Sequence, residues 1–380
     1  MTHGTAVSTS RPSNSEGPIR ILHIDECFKV GTYRVIHDIT QLLSRDEFEF
    51  TVLFGNRSEK TVEALAAEFP NVNFVPWKHA RRSLSASNDT MALWEAIAAI
   101  RRLKPDVIHA HSAKAGTLAR IAALLTGRID RTLYTPHGLS FLQQNESRGK
   151  RALYRRIEQL VARIGGEVIA CSPSELAVLN DAGIHGIQVV NGVRVPISTT
   201  PIPDDIPRVV LAAGRLEPAK NPAAFNEIAR AFEDDASVRF VWAGGGELRR
   251  DLTSANIEVT GWLTNDEVRQ RMRKAHVYLS TSLFEGLPLA VLEAMSEGRP
   301  LLLSSAVGHV DLISDNNGYL FHNIEDAVWK LTRMLQSITT LRNMGTASRD
   351  YALANFDAMR MTQEYAALYR TKAKSENYLR

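Results

Sequence analysis

Apolar runs of strand length alternate with longer amphipathic stretches along this chain, and the alternation occurs twice, on either side of a proline-rich interruption. In the first half the strand-like runs fall at Arg20–Ile24, Phe50–Phe54, Asn73–Pro76, Val107–Ala110, Thr132–Thr135, Glu167–Ala170 and Ile187–Val190. Between them, Tyr33–Leu43, Glu59–Glu68, Met91–Arg102, Gly116–Leu125, Lys150–Ile164 and Ser174–Asp181 read as helices. This βα order implies a parallel sheet with helices on both faces, since a parallel strand pair needs a long crossover. Residues 191–207 carry four prolines and little periodicity, and 196–207 is the expected linker. The pattern restarts at Val209 and runs to Phe321, followed by helical spacing at Ile324–Leu335 and Ile338–Ala354. A last segment has Met361, Tyr365, Leu368 and Tyr369 at helical spacing.

The chain therefore reads as α/β, with two doubly wound parallel-sheet domains at 19–195 and 208–355 and a terminal segment at 356–380. Its 380 residues exceed one ordinary core. Residues 1–18 are rich in Ser, Thr, Gly and Pro without an apolar signal core, and are expected to be a disordered tail. No apolar run approaches the roughly 18 residues that span a bilayer. A net charge of only +3 argues against nucleic-acid binding. Two cysteines, Cys27 and Cys171, argue against a disulfide framework and fit a reducing, cytoplasmic compartment.

The densest chemistry lies in Glu285-Gly-Leu-Pro-Leu-Ala-Val-Leu-Glu293-Ala-Met295. Pro288 suits a first helical position, which puts Glu285 in a loop and Glu293 inside a helix, beyond the strand His276–Ser280. Ligands of open α/β sheets bind at such strand ends. Upstream, the strand Arg208–Ala213 runs into Gly214-Arg215 and then Lys220-Asn221-Pro222, where Asn221 is the expected N-cap and Pro222 the first helical residue. Two fixed cations beside a helix amino terminus make a site for a pyrophosphate. Another strand meets Gly244-Gly245-Gly246, and Gly261-Trp262 closes a further one. Arg249 stands where a third glycine of Gly-x-Gly-x-x-Gly would fall, which disfavours dinucleotide chemistry.

This ordered set, from about Arg208 to Phe321, resembles the donor-binding domain of the family 4 retaining glycosyltransferases, which have the two-domain GT-B fold of Rossmann-like domains facing a central cleft. The first half adds His109-Ala-His111-Ser-Ala-Lys114-Ala-Gly116, Tyr134-Thr-Pro-His137-Gly138 and Asn191-Gly192-Val193, similar to the branch found in bacterial surface-polysaccharide assembly. The resemblance implies that Glu293 grips ribose hydroxyls, that Glu285 touches the donor sugar or stabilises positive charge, and that His137 contacts the sugar. Gly214, Gly244, Gly261, Trp262, Gly286 and Leu287 complete the implied donor site. The family's Gly-Gly pair further on is replaced by Val307-Gly308-His309. The terminal segment is implied to cross back onto the first domain.

Sugar transfer requires stabilisation of a leaving pyrophosphate and of an oxocarbenium-like carbon, and fixed cations meet the first need in a water-poor cleft. Arg215 and Lys220 fit that role, and no Asp-x-Asp pair stands at a strand end to hold a divalent metal. The expected enzyme is metal-independent and retaining, without a cofactor. Its expected donor is a nucleotide sugar, UDP-linked rather than GDP-linked, and its acceptor a lipid-linked saccharide.

His109 and His111 sit two apart in a strand and so face one side. They read either as a metal pair or as one cleft-facing and one structural histidine. His111, Lys114 and Gly31 are the candidate acceptor and cleft residues. Arg148, Lys150, Arg151, Arg155, Arg156 and Arg163 crowd one helix opposite Leu153, Ile157, Leu160, Val161 and Ile164, with Lys78, Arg81 and Arg82 as a second basic cluster. Such a helix either packs by its apolar stripe or rests on anionic lipid at the inner face of the cytoplasmic membrane. The competing readings are a nucleotide-sugar epimerase of related fold, a metal hydrolase built on His109 and His111, and a non-catalytic protein of the same fold.

Overall fold

The structure, a computed structural model, describes residues 17–55, 60–81, 83, 85–144 and 146–374. The expected N-terminal tail lies almost wholly outside them, as do Glu59, Arg82 and the last six residues. Among the described residues seven parallel strands form the first sheet: β1 (Ile19–Asp25), β2 (Phe48–Gly55), β3 (Val72–Trp77), β4 (Val107–His111), β5 (Thr132–Thr135), β6 (Glu167–Ala170) and β7 (Ile187–Gln188). The second sheet contains β8 (Arg208–Ala213), β9 (Val238–Ala243), β10 (Ile257–Val259), β11 (Val277–Ser280), β12 (Leu301–Ser304) and β13 (Gly318–Phe321). Their spatial orders are β3-β2-β1-β4-β5-β6-β7 and β10-β9-β8-β11-β12-β13.

Each order reverses once, between β1 and β4 and between β8 and β11. Connections leave in opposite directions at these points and open a crevice beyond the strands' carboxyl ends. Register aligns those ends: Asp25 pairs with His111, and His111 with Thr135. Strand interiors such as Leu22, Ile24, Ile108 and Leu302 are fully buried, as expected of sheets covered on both faces.

Element boundaries moved in two places that bear on the site. The helix expected from Met91 begins at Ala86, because Asp89 Oδ2 accepts the Ser85 amide at 3.1 Å and stabilises an extra polar turn. Pro288 is the N-cap rather than the first helical residue, and the helix runs Leu289–Ser296.

The terminal helix Ala358–Ala373 lies on the first sheet, where Met361, Tyr365 and Tyr369 share a core with Ile21, Phe50, Val107 and Leu133. The return is tight at Gly192, since a Cβ there would stand 2.5 Å from the Asp357 carbonyl oxygen. Only glycine allows the two backbones to pass at that distance.

Candidate active site

The second domain contributes two loops from its central strands. After β8 the chain passes Gly214 and Arg215 to a short turn, Pro218–Lys220. Asn221 follows in the left-handed conformation (φ 49°), and its side chain accepts the Ala224 amide at 3.4 Å to cap the helix Pro222–Arg230. The loop after β11 carries Phe284, Glu285 and Gly286. Hydrogen bonds to the backbone hold the loops together: the Leu283 amide donates to the Ala219 carbonyl at 2.8 Å, and the Thr281 hydroxyl donates to the Lys220 carbonyl at 2.8 Å.

That docking brings Lys220 Nζ into an ion pair with Glu285 Oε1. Burial pushes the Glu285 carboxyl up, but the Lys220 ammonium and the His309 ring outweigh it and hold it below the usual range. Glu285 is thus a carboxylate at neutral pH, with its charge balanced before any ligand arrives. Arg215 Nη1 sits 3.5 Å from Glu217, a looser pairing that leaves its guanidinium available. The Gly308 amide is taken by Ser174 Oγ at 2.8 Å, so the loop that lacks the Gly-Gly pair spends this donor on the other domain.

The first domain supplies the opposite wall. His137 and Gly138 both have positive φ, 55° and 110°. The turn is held by Glu175, whose carboxylate accepts the Gly138 and Cys171 amides, each at 2.8 Å. Glu285–Gly286 lies against it, close enough that a Cβ on Gly286 would stand 2.8 Å from the Gly138 nitrogen. Beyond β1, Asp25 accepts the Cys27 and Phe28 amides and the Ser112 hydroxyl. Glu26, only 7% exposed, accepts the Ala115 amide at 3.2 Å. Burial, with the Asp25 charge beside it, pushes the Glu26 carboxyl up to about 8.

Between the walls runs a cleft of about 1900 Å³, lined by Glu26, Lys114, His137, Arg215, Lys220 and Glu285 among others. Single small-molecule sites commonly occupy about 300–1,000 Å³, so this cleft holds a large ligand or two ligands together.

A sequence model described as "Glycosyl transferases group 1" matches residues 207–337, and one described as "Glycosyltransferase Family 4" matches residues 31–195. The chain belongs to the family 4 glycosyltransferases. A UDP-Gal:alpha-D-GlcNAc-diphosphoundecaprenol alpha-1,3-galactosyltransferase of Escherichia coli is 26% identical over 387 residues, covering 94% of this chain and 98% of that one. Sucrose-phosphate synthase from Thermosynechococcus elongatus superposes with a TM-score of 0.77 at 15% identity, covering 93% of this chain and 98% of the other. Anabaena Alr3699/HepE, solved with UDP and glucose, gives 0.74 at 18% identity over 93% of this chain and 100% of its own. These likenesses show the GT-B fold.

In this glycosyltransferase the cleft wall includes Lys114, His137, Arg215, Lys220, Trp262, Glu285 and Gly286. Other expected residues are not among those that line it. Glu293 is buried and ion-paired with Arg34 of the first domain at 2.9 Å. Leu287 points into the core, with its carbonyl accepting from Asn191. Gly244 lets its loop close on the Gly214 carbonyl, 2.1 Å from where a Cβ would lie, and Gly261 bridges to Gly244. Gly31 sits in the first turn of the helix Val30–Leu42 with open space at its Cβ position, and it is not among the residues that line the cleft.

The histidine pair also differs from both sequence readings. His109 and His111 are fully buried and neither faces the cleft. With His23 they have ligand atoms within 4.8 Å of one another. His109 nevertheless spends both ring nitrogens on the Tyr369 and Thr135 hydroxyls, and His111 spends both on His23 and His137. The rings form a hydrogen-bonded row rather than an open ligand set.

Arg34, Glu26 and Glu175 were not singled out in the sequence. For Glu26 a signal existed, a carboxylate directly after a strand end at a switch point. Glu175 had one too, since Ser172-Pro-Ser-Glu175 has the spacing of a helix capping box, whereas Arg34 carries no local mark because its partner comes from a distant element.

Proposed function

We propose that this protein transfers a sugar from a UDP-sugar to a lipid-linked saccharide, with retention of anomeric configuration and without a metal ion. The observation that carries the reading is the Lys220–Glu285 pair at the switch point of the second sheet, with Arg215 beside it. A diphosphate entering there meets two cations and the amino end of the helix Pro222–Arg230, so charge on the departing pyrophosphate is stabilised by preorganised groups. Glu285 is the anion nearest the sugar's reacting carbon and opposes the positive charge that grows there. Trp262, 67% exposed at the cleft edge, offers a stacking face for the base. Support for UDP and for a diphospholipid acceptor comes from the E. coli relative's name and from the UDP-bound Anabaena structure.

The helix Arg148–Ile164 connects the cleft with a lipid surface. Lys150, Tyr154 and Ile157 line the cleft, while Leu153 and Leu160 are 52% and 58% exposed beside Arg148, Arg156 and Arg163. The apolar stripe is thus only partly packed, and its exposed leucines with surrounding cations suit an anionic bilayer. No helix of the described residues is long and apolar enough to cross a membrane. Peripheral docking would hold a membrane-borne acceptor at the cleft mouth.

The test is a transfer assay with a UDP-sugar panel and a polyprenyl-diphosphate saccharide, in the presence of a chelator. Anomeric configuration of the product is read by NMR. An inverted product, or free sugar and UDP with acceptor present and untouched, would refute this reading.

A further inference from the structure

Three imidazoles stand in a row from the cleft wall into the first domain's core. His137 Nε2 lies 2.9 Å from His111 Nδ1, and His111 Nε2 lies 3.0 Å from His23 Nδ1. His111 and His23 are fully buried on neighbouring strands β4 and β1. At the far end, His23 Nε2 is buried without a hydrogen-bond partner among the described residues. At the near end, the His137 ring lines the cleft, and no described residue bonds its Nδ1. His109 stacks beside the row, with ring centroids 4.1 Å apart from His111, but its nitrogens are committed to Tyr369 and Thr135.

All three rings are neutral, because burial drives His23 down to about 3, His137 to about 4 and His111 well below the usual range. A neutral imidazole carries one N–H. Each of the two N···N contacts needs one proton, which leaves the third for one end of the row. Placed on His23 Nε2, it would be a buried donor without an acceptor, the rarer and costlier kind of orphan. Left bare, His23 Nε2 is only an under-used lone pair. His23 therefore donates from Nδ1 to His111 Nε2, and His111 donates from Nδ1 to His137 Nε2. The third proton resides on His137 Nδ1.

We infer that His111 and His23 are positioning residues that fix the tautomer of His137, so that it presents an N–H, not a lone pair, to the cleft. Resting on the sugar-transfer reading, His137 then hydrogen-bonds a hydroxyl of the transferred sugar and cannot act as the base for the acceptor. The residue that looks most like a general base in the cleft is thereby assigned to recognition.

Long-range ¹H–¹⁵N correlation spectra of the full chain, labelled at histidine, distinguish the tautomers, with His137 peaks identified by their loss in His137→Gln. The wild type should show Nδ1–H at His137. His23→Asn retains an amide N–H where Nδ1 stood and should preserve that state. His23→Leu cannot, so His137 should sample both tautomers while kcat falls roughly 3- to 10-fold and the donor KM stays within about twofold. Tyr369→Phe strips the hydroxyl from His109 and should alter neither readout. An Nε2–H tautomer in the wild type overturns the inference even if His23→Leu fails to fold, and so does an undisturbed Nδ1–H in folded His23→Leu. These spectra need no substrate: a correct tautomer in a protein that transfers no sugar would count against the sugar-transfer reading, not against the histidine row.

Discussion

Arg34 Nη2 lies 2.9 Å from Glu293 Oε1, joining the first helix of one domain to a buried carboxylate of the other. Burial pushes the Glu293 carboxyl up while Arg34 and Arg269 draw it back. A ribose that reaches Glu293 thus meets a carboxylate with one oxygen already held by a cation. Ribose binding is alike in ground and transition states, so its loss acts on affinity rather than turnover. Glu293→Gln should weaken UDP binding roughly 10- to 150-fold, the scale of a hydrogen bond to a charged group. Glu285→Gln should leave UDP affinity nearly unchanged and lower kcat instead. Calorimetry with UDP on both variants ranks them, and the opposite order would mean that the two carboxylates exchange roles.

Arg215→Ala and Lys220→Ala should each reduce turnover by roughly 10²- to 10³-fold, as when one preorganised charge-stabilising group is lost. Lys220→Ala carries a second effect, because it strips the counter-charge from a carboxylate that is only 15% exposed. Its thermal stability should fall, and adding Glu285→Gln should restore part of it. Steady-state kinetics and melting curves read the two effects separately. Less than about threefold loss in kcat for both single variants would remove pyrophosphate stabilisation from these residues.

Glu26 gives the stability a pH dependence of defined sign. Its carboxyl is raised from 4.5 to about 8 in the fold. The folded state therefore holds a proton that the unfolded chain releases between those values. Stability from this group is fully present below the unfolded value and is lost as pH rises through the folded one. Glu26→Gln has no proton to lose, so its melting temperature should gain on the wild type as pH rises from 4.5 to about 8. A constant difference across that window would show that Glu26 is not held protonated.

Docking through Leu153, Leu160 and the surrounding cations should make the protein co-sediment with anionic vesicles at low salt. Each Lys or Arg near such a surface contributes about 1 kcal/mol and is screened by added salt. Leu153→Ser with Leu160→Ser should weaken sedimentation while leaving the fold intact, since both side chains are more than half exposed. Equal binding to neutral and anionic vesicles, or none, would leave this helix as a cleft wall only.

Strand and helix periodicity, and the cap formed by Asn221 and Pro222, were legible in the chain because they arise within a few residues of one another. So was the position of Arg215, Lys220, His137 and Glu285 at strand ends, since a strand-loop-helix order states where each loop emerges. What Glu293 and Leu287 pack against was not legible, because a motif shows that residues keep company but not which partners they meet: Arg34 for the one, Asn191 for the other. Nor was the setting of Gly31 legible, because a glycine in a helical first turn and a glycine at a tight approach are the same letter.

By itself, then, the sequence determined the α/β layers, the two sheets and the set of chemical groups available at their carboxyl ends. Tertiary structure decided the pairings: Lys220 with Glu285 across 65 positions, Arg34 with Glu293 across the domains, and His23, His111 and His137 in one row. The physical reason is range. Periodicity and capping are set by neighbours along the chain, whereas a charge or a proton finds its partner through strand order, and only the assembled sheet places β1 beside β4 and β8 beside β11.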